Sequence, residues 1–124
     1  MASPGKRTQK TAGAVDDEVL NRAHLAHYTL DSAELEREIV ALFLQQLPST
    51  IGMLRGAKSA TDWKMAAHTV KGSAAAVGAT RINAIASELE EYAAVRRSAP
   101  AKALLVELDH AAERFKETVG RIYG

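Results

Sequence analysis

The sequence predicts an all-α fold, an up-and-down antiparallel four-helix bundle with a short additional helix at the N-terminal end. Apolar residues recur at alternating three- and four-residue steps, which is the spacing of one face of an α-helix. No segment shows the two-residue alternation of a half-buried strand. Aromatic residues make up only 5% of the chain, and much of the apolar content is alanine. That composition favours closely packed helices, because alanine is the best helix former and adds little bulk.

The N-terminal part of the chain divides into an arm and a first short helix. Residues 1–15 are rich in Gly, Ala, Ser, Thr and Lys and lack an apolar period, so we expect a flexible arm. Residues 16–124 are expected to form one helical bundle domain. The first helix is predicted over about Asp17 to His27, with apolar contacts from Val19, Leu20 and Leu25.

The second helix is predicted from its cap and its apolar stripe. Asp31 and Glu34 have the spacing of a capping box, which marks a helix start. Pro48 lies within the stripe and is expected to kink the helix or divide it in two, because proline lacks the backbone N–H. The stripe itself consists of Val40, Leu44, Leu47, Ile51 and Leu54.

Residues that favour helix ends mark the three remaining helices. Short loops between them favour antiparallel neighbours. The predicted ends are Thr61 or Asp62 at the start of the third helix, Gly78 at its left-handed stop, Thr80 at the start of the fourth, and Ser98 with Pro100 at the start of the last.

Composition and charge exclude several classes of function. The chain has no cysteine, so disulfides, thiol catalysis and Cys-ligated zinc are excluded. A formal net charge of +1 gives no support to nucleic acid as the main ligand. No apolar run approaches the roughly 18 residues of a membrane span, and no secretory signal is visible. We expect a cytoplasmic, monomeric and stand-alone protein without a membrane partner.

The segment from Thr61 to Gly78 carries the most informative pattern. At about 100° per residue, His68 lies roughly 140° from the centre of the apolar stripe, so its imidazole should point out of the bundle. Lys64, Lys71, Gly72 and Ala75 fall on the same outer side. The predicted buried face consists of Trp63, Ala67, Val70, Ala74 and Val77.

The residues around His68 combine a nucleophile, positive charge and open space. Gly72 costs about 1 kcal/mol relative to alanine inside a helix, and its missing side chain leaves room beside the ring for a partner. Close helix packing is the alternative explanation for this glycine. Lys64 and Lys71 lie one turn away on either side, within reach of phosphate oxygens on the ring.

The run His68-Thr69-Val70-Lys71-Gly72-Ser73, with Gly78 six residues after Gly72, resembles the signature of histidine-containing phosphotransfer (HPt) domains. Those domains commonly read His-x-Leu-Lys-Gly followed by a glycine at this distance, and Val70 stands here in place of the leucine. The helix with Pro48 before the motif and Glu88-Leu89-Glu90 after it also resemble bacterial members. The resemblance extends over about Leu20 to Ile122.

The resemblance implies a phosphocarrier in a two-component phosphorelay. His68 would accept a phosphoryl group on Nε2 from a receiver-domain aspartate of a hybrid sensor kinase and pass it to a response regulator, or the reverse. Lys71 would steady the phosphoryl oxygens, and Gly72 would give clearance beside the histidine. The partner receiver would supply magnesium, so the chain itself needs no cofactor or metal. No ATP binding or kinase activity is expected, so the chain is not an enzyme.

The resemblance also implies a surface patch that docks on receiver domains. Family members use small and apolar side chains around the histidine for this purpose. In this sequence Gly72, Ala75 and Ala76 would form the centre of the patch, and Lys64 and Leu25 would border it.

Other functions and other titratable residues leave alternatives open. The chain could be a receiver-docking bundle without phosphate, or the phosphoacceptor domain of a chemotaxis-type histidine kinase. Use of His68 as an enzymatic general base needs an orienting carboxylate and a pocket, and neither is expected near the motif. The remaining acidic and histidine residues considered are expected to be solvated rather than metal ligands: Glu88, Glu90, Glu91, His24, His27 and His110.

Overall fold

The computed structural model describes residues 19–123, apart from the side chain of Tyr28, so the arm predicted for residues 1–15 lies outside the described part. Within that range there are α-helices and one 3-10 turn, and no strand. The all-α prediction is therefore confirmed, while the up-and-down antiparallel order stays a prediction. The elements are α1 (Arg22–Tyr28), α2 (Ala33–Arg55), α3 (Ala60–Val77), α4 (Thr80–Glu91), the turn Ala93–Val95 and α5 (Ala99–Tyr123).

A single hydrophobic core joins all five helices. The helix α3 packs against α2 and α4, and α5 packs against α4 and α2. The rings of Phe43 in α2 and Phe115 in α5 meet edge to face, with their centroids 5.2 Å apart. Edge-to-face pairs add to the stabilisation from apolar burial, since the positive ring edge faces the negative ring face.

The first helix contributes Leu25 to this core. It packs on α2 and α3, and Leu25 is 0% exposed. The expectation that Leu25 borders a docking patch is therefore wrong. An isolated seven-residue helix is unstable in water, so α1 depends on burying this side chain against its longer neighbours.

The predicted starts of α2 and α3 differ from the observed ones. The N-cap of α2 is Ser32, whose side chain accepts from the backbone N–H of Leu35, and not Asp31. The N-cap of α3 is Ser59, which accepts from the N–H of Asp62, and not Thr61 or Asp62. In both cases several residues able to cap are close together. Spacing alone therefore does not select the residue whose hydroxyl reaches a free N–H.

The predicted N-cap is wrong for α4 and confirmed for α5. Ala79 precedes α4 and forms no side-chain cap, and Thr80 is the first helical residue rather than the cap. Ser98 does fulfil its prediction, because its hydroxyl oxygen accepts from the N–H of Ala101 at 3.3 Å. Pro100 lies in the first turn of α5, where a missing N–H removes no helical hydrogen bond.

The helix α2 continues through Pro48. Of the two predicted outcomes, a kink or a division into two helices, the division does not occur. Pro48 itself is exposed, while Leu47 and Ile51 beside it are buried. Burial of this apolar stripe outweighs the loss of one backbone hydrogen bond at the proline.

The turn after α3 is hydrogen-bonded to Asn21, the residue before α1. Gly78 ends α3 in the left-handed region with φ +76°, as predicted. Its carbonyl accepts from the N–H of Asn21 at 2.7 Å. A Cβ added at Gly78 would lie only 2.7 Å from the Asn21 carbonyl oxygen. Glycine is required here both by its backbone conformation and by the neighbouring chain.

A second group of contacts joins the start of α1 to α2 and to the C-terminal end of α5. The buried carboxylate of Glu36 accepts from the Tyr123 hydroxyl at 2.6 Å and lies 3.6 Å from the Arg22 guanidinium. The same guanidinium lies over the Tyr123 ring, 5.5 Å from its centroid. Burial raises the pKa of the Tyr123 hydroxyl, and the hydrogen bond to Glu36 raises this pKa further.

None of the helices in residues 19–123 combines the length and the apolar character needed to cross a lipid bilayer.

Candidate functional site

The helix α3 separates a buried face from an exposed one, as its spacing predicts. All five residues of the predicted apolar stripe are buried, and the Trp63 indole N–H donates to the Leu89 carbonyl at 2.6 Å. The His68 side chain is 70% exposed. The prediction that the imidazole points away from the core is therefore confirmed.

A carboxylate from the neighbouring helix contacts this histidine. Glu90 in α4 places Oε2 3.3 Å from Nδ1 of His68 and Oε1 3.5 Å from Nζ of Lys71. Its side chain is only 19% exposed. The expectation that Glu90 is merely solvated is wrong, whereas Glu88 and Glu91 are exposed as expected. The site therefore consists of an imidazole and an ammonium group that share one carboxylate.

The contact with Glu90 selects one tautomer of the imidazole. A carboxylate only accepts hydrogen bonds, so the His68–Glu90 bond requires the proton on Nδ1. In the neutral ring the lone pair then lies on Nε2. The ring is held from one side, and the nitrogen that can act as a nucleophile is the one Glu90 does not contact.

Two hydrogen bonds between α3 and α4 position Glu90. The Asn83 amide donates to the Lys71 carbonyl at 2.9 Å, and Trp63 donates to Leu89, the residue before Glu90. Asn83 precedes Glu90 by seven residues, which is two helical turns, so both lie on the side of α4 that faces α3. These bonds fix how the two helices lie against each other at the site.

The surface beside the imidazole is open and partly apolar. A Cβ added at Gly72 would meet nothing within 4 Å, which excludes close helix packing as the reason for this glycine. Ala75 is exposed and Ala76 is half-buried. An open depression of about 450 Å³ lies on the other side of the ring, lined by Thr61, Lys64, Met65, His68, Thr69 and Glu90. Lys64 is thus beside the histidine, as its position in the helix predicts.

Three contributors to the site were not identified from the sequence. Met65 is 64% exposed, and a large apolar residue on the outer face of α3 was a usable signal. Asn83 has no such signal, and Glu90 was noted only within the run Glu88-Leu89-Glu90, without a contact to His68. They lie 12 and 22 residues from the residues they contact, so only the packing of α4 on α3 brings them there. The missing carboxylate was one of two arguments against an enzymatic general base, and that argument no longer holds.

Within residues 19–123, no group of three or more His, Asp or Glu side chains could hold a metal ion. His24, His27 and His110 are exposed, in agreement with their expected placement.

Comparison with known proteins identifies the family. The family model described as "Hpt domain" matches residues 38–118, which is more than half of the chain and includes His68, Lys71, Gly72 and Glu90. No curated protein and no solved structure matches the chain. Hpt domains are histidine phosphotransfer modules of phosphorelays; they interact with receiver domains and response regulators and lack a kinase catalytic domain of their own. With its exposed histidine on an all-helical scaffold and this match, the chain belongs to the Hpt domain family.

Proposed function

We propose that the protein is a phosphocarrier whose acceptor is Nε2 of His68. It receives the phosphoryl group from a receiver-domain aspartate of a hybrid sensor kinase and relays it to the aspartate of a response regulator, or carries it in reverse. The observation that carries this proposal is the exposed imidazole held at Nδ1 by Glu90. That arrangement directs the lone pair of Nε2 away from Glu90, toward an incoming partner.

The transfer step follows from this geometry. The Nε2 lone pair attacks the phosphorus of the aspartyl phosphate, an N–P bond forms, and the P–O bond to the aspartate breaks to release a carboxylate. The proton on Nδ1 stays in place. Positive charge develops on the ring as the bond forms, and the Glu90 carboxylate stabilises that charge from 3.3 Å.

Lys71 supplies charge for the phosphoryl oxygens. It lies one turn after His68 on the same side of α3, and its side chain is 41% exposed. Because its contact with Glu90 is long, at 3.5 Å, the ammonium group can turn toward an anion on the ring at little cost. Phosphoryl transfer depends on placement and charge neutralisation more than on covalent chemistry. Magnesium would contribute to this neutralisation, and the family resemblance implies that the receiver would supply it.

The docking patch consists of Lys64, Met65, Gly72, Ala75 and Ala76. Gly72 and Ala75 are exposed and present almost no side chain, so a receiver can bring its aspartate close to the ring. Met65 adds an apolar contact of the adaptable kind found in protein interfaces. Lys64 adds a positive charge that suits the acidic pocket of a receiver.

A general base remains the less suitable use of His68. Glu90 does provide an orienting carboxylate, but the ring is 70% exposed and the depression beside it is open. A hydrolytic site usually excludes bulk water and surrounds its substrate. An exposed nucleophile on a bare helix face suits a reaction in which the partner protein completes the site.

The first experiment compares phosphoryl transfer to the wild type and to His68→Gln. Each protein is mixed with a panel of radiolabelled, phosphorylated receiver domains, and His110→Gln serves as the control for loss of an exposed histidine elsewhere. We expect acid-labile, base-stable label on the wild type and on His110→Gln. We expect no label on His68→Gln, because the variant has no nucleophilic nitrogen at that position.

Other results would change the assignment. Equal labelling of His68→Gln would show that His68 is not the acceptor. Binding to a receiver without any transfer would favour the docking-only alternative. Labelling only by an ATP-dependent kinase catalytic domain, and by no receiver, would favour the phosphoacceptor domain of a chemotaxis-type kinase.

A further inference from the structure

A second charged region lies where α2 ends and α5 begins. A cavity of about 360 Å³ there has four cationic residues in its lining, Arg55, Arg96, Arg97 and Lys102, and no acidic residue. Trp63 and Leu105 contribute apolar surface to the same lining. Trp63 belongs to the buried face of α3 and His68 to the exposed face, so this cavity is separate from the phosphotransfer site.

Most of the positive charge in this cavity is not compensated. Arg55 is the exception, because its guanidinium forms two bonds to the Asp109 carboxylate, at 2.6 and 3.4 Å. Arg97 and Lys102 are exposed and form no ion pair with any of residues 19–123. The Arg96 guanidinium donates to the carbonyls of Ala93 and Lys58, at 3.3 and 3.2 Å, and these neutral groups leave its charge in place.

Arg96 also carries an unused hydrogen-bond donor. Its Nε is buried and has no partner within the described part of the chain. Buried donors without an acceptor are rare in folded proteins, because such a group has given up its hydrogen bond to water. Because this Nε is enclosed, an anion in the cavity would supply the missing negative charge, and it would meet the Nε donor only after the guanidinium had turned toward it.

We propose that this cavity binds a phosphate group, either free or as part of a small organic phosphate. Guanidinium groups match phosphate oxygens in geometry and charge. A volume of about 360 Å³ is sufficient for a small ligand, since small-molecule sites start at about 300 Å³. The apolar lining from Trp63 and Leu105 would accommodate a short organic group attached to the phosphate.

The chain offers a direct reporter of this site. Trp63 is its only tryptophan, so indole fluorescence and the indole N–H signal in NMR spectra both report on the cavity. The wild type is titrated with inorganic phosphate and with butyl phosphate, and with sodium chloride at equal ionic strength. We expect a saturable response to the phosphates and none to chloride. Tighter binding of butyl phosphate would identify an organic phosphate as the ligand, and equal or weaker binding would identify free phosphate.

Paired variants test whether the named cations bind the ligand. Removing Arg97 and Lys102 together by substitution with alanine should weaken phosphate binding by at least about tenfold, because both charge-assisted contacts are lost. The matched control replaces Arg114 and Lys116, two exposed cations of α5, the helix that also contains Lys102, and should leave the affinity within about twofold.

Three results would overturn the proposal. The first is a response to phosphate that never saturates or that chloride reproduces. The second is equal weakening in both double variants, which would indicate nonspecific attraction to a basic surface. The third is slower transfer from a receiver in the Arg97/Lys102 variant without any phosphate binding in the wild type, which would make the cavity part of a protein-docking surface.

Discussion

Gly72 and Gly78 follow His68 by four and ten residues, and the missing side chain has a different consequence at each position. At Gly72 the backbone is helical and an added Cβ would meet nothing within 4 Å. At Gly78 the backbone has φ +76° and an added Cβ would lie 2.7 Å from a carbonyl oxygen of Asn21. Gly72 therefore lowers helix stability while keeping a surface open, whereas Gly78 allows the chain to fold as it does.

The comparison shows that two glycines of one motif serve different functions. A glycine in open space can be replaced without steric conflict, so the fold does not require Gly72, and the proposed docking of a partner accounts for it instead. A glycine at positive φ against a neighbouring backbone is explained by the fold alone. A substitution at Gly78 should therefore lower stability, whereas a substitution at Gly72 should slow phosphoryl transfer without lowering stability.

The largest expected effect is a loss of stability in Gly78→Ala. The left-handed conformation costs a non-glycine residue roughly 1–2 kcal/mol, and displacement of Asn21 would also lose its hydrogen bond to Gly78, worth about 1 kcal/mol. We expect the free energy of unfolding in urea to fall by roughly 2–4 kcal/mol. A loss below about 0.5 kcal/mol would mean that the backbone at Gly78 adjusts without strain.

The opposite result is expected at Gly72. Gly72→Leu should raise the free energy of unfolding by roughly 0.5–1 kcal/mol, because leucine is a much better helix former. The same substitution should slow phosphoryl transfer by about tenfold or more, since the new side chain occupies the space beside His68. Urea unfolding and the radiolabel assay measure the two effects on one variant.

Gly52→Leu is the matched control for that variant. Gly52 also lies inside a helix, α2, and an added Cβ there meets nothing within 4 Å. The control should gain similar stability and transfer at the wild-type rate. Equal slowing in both variants would show that Gly72 has no particular relation to the docking patch.

A smaller effect on transfer is expected from a substitution at Glu90. It tests how the imidazole that lies beside Gly72 is held in place. Glu90→Gln removes the charge that holds His68, so transfer should slow roughly three- to tenfold. Stability should change by less than about 0.5 kcal/mol, because Glu90 contacts the exposed His68 imidazole and the partly exposed Lys71 ammonium group. NMR of the imidazole nitrogens should show a smaller fraction of the Nδ1–H tautomer.

Glu88→Gln serves as the control for Glu90, since Glu88 is an exposed carboxylate of the same helix. An unchanged tautomer ratio in Glu90→Gln would contradict a positioning role for Glu90, even if the transfer rate fell.

The parts of this structure that were predictable from the sequence depend on local spacing. The two faces of α3 follow from one helix with a regular period, so Trp63 and His68 were placed correctly. The role of Glu90 depends on how α4 packs against α3, which no local pattern specifies. Leu25 was correctly predicted from the sequence as an apolar contact of the first helix, and it is buried. Only its placement at the border of the docking patch, which came from the resemblance, was wrong.

The smallest expected effect is on stability at alkaline pH, and it depends on the hydrogen bond from Tyr123 to Glu36. The folded state raises the pKa of Tyr123 above its ordinary value of about 10, through burial and the bond to Glu36. The folded protein therefore holds this proton more tightly, so its contribution is present below about pH 10 and is lost as the pH rises through the folded pKa. Tyr123→Phe should show a shallower decline of unfolding free energy above pH 10 than the wild type. Identical declines would contradict the assignment.

The hydrogen bond between Asn21 and Gly78 places the start of α1 beside the end of α3, so a fluorescent label on α1 can report on α3. His68 and Gly78 are ten residues apart, which corresponds to about 15 Å along the helix axis. The chain contains no cysteine, so a thiol introduced at the exposed Ala23 would be unique. A fluorophore on that thiol would be close to the Gly78 end of α3, which Ala75 and Ala76 of the docking patch adjoin in the helix. Energy transfer from a labelled receiver would then report when this end of the patch is occupied.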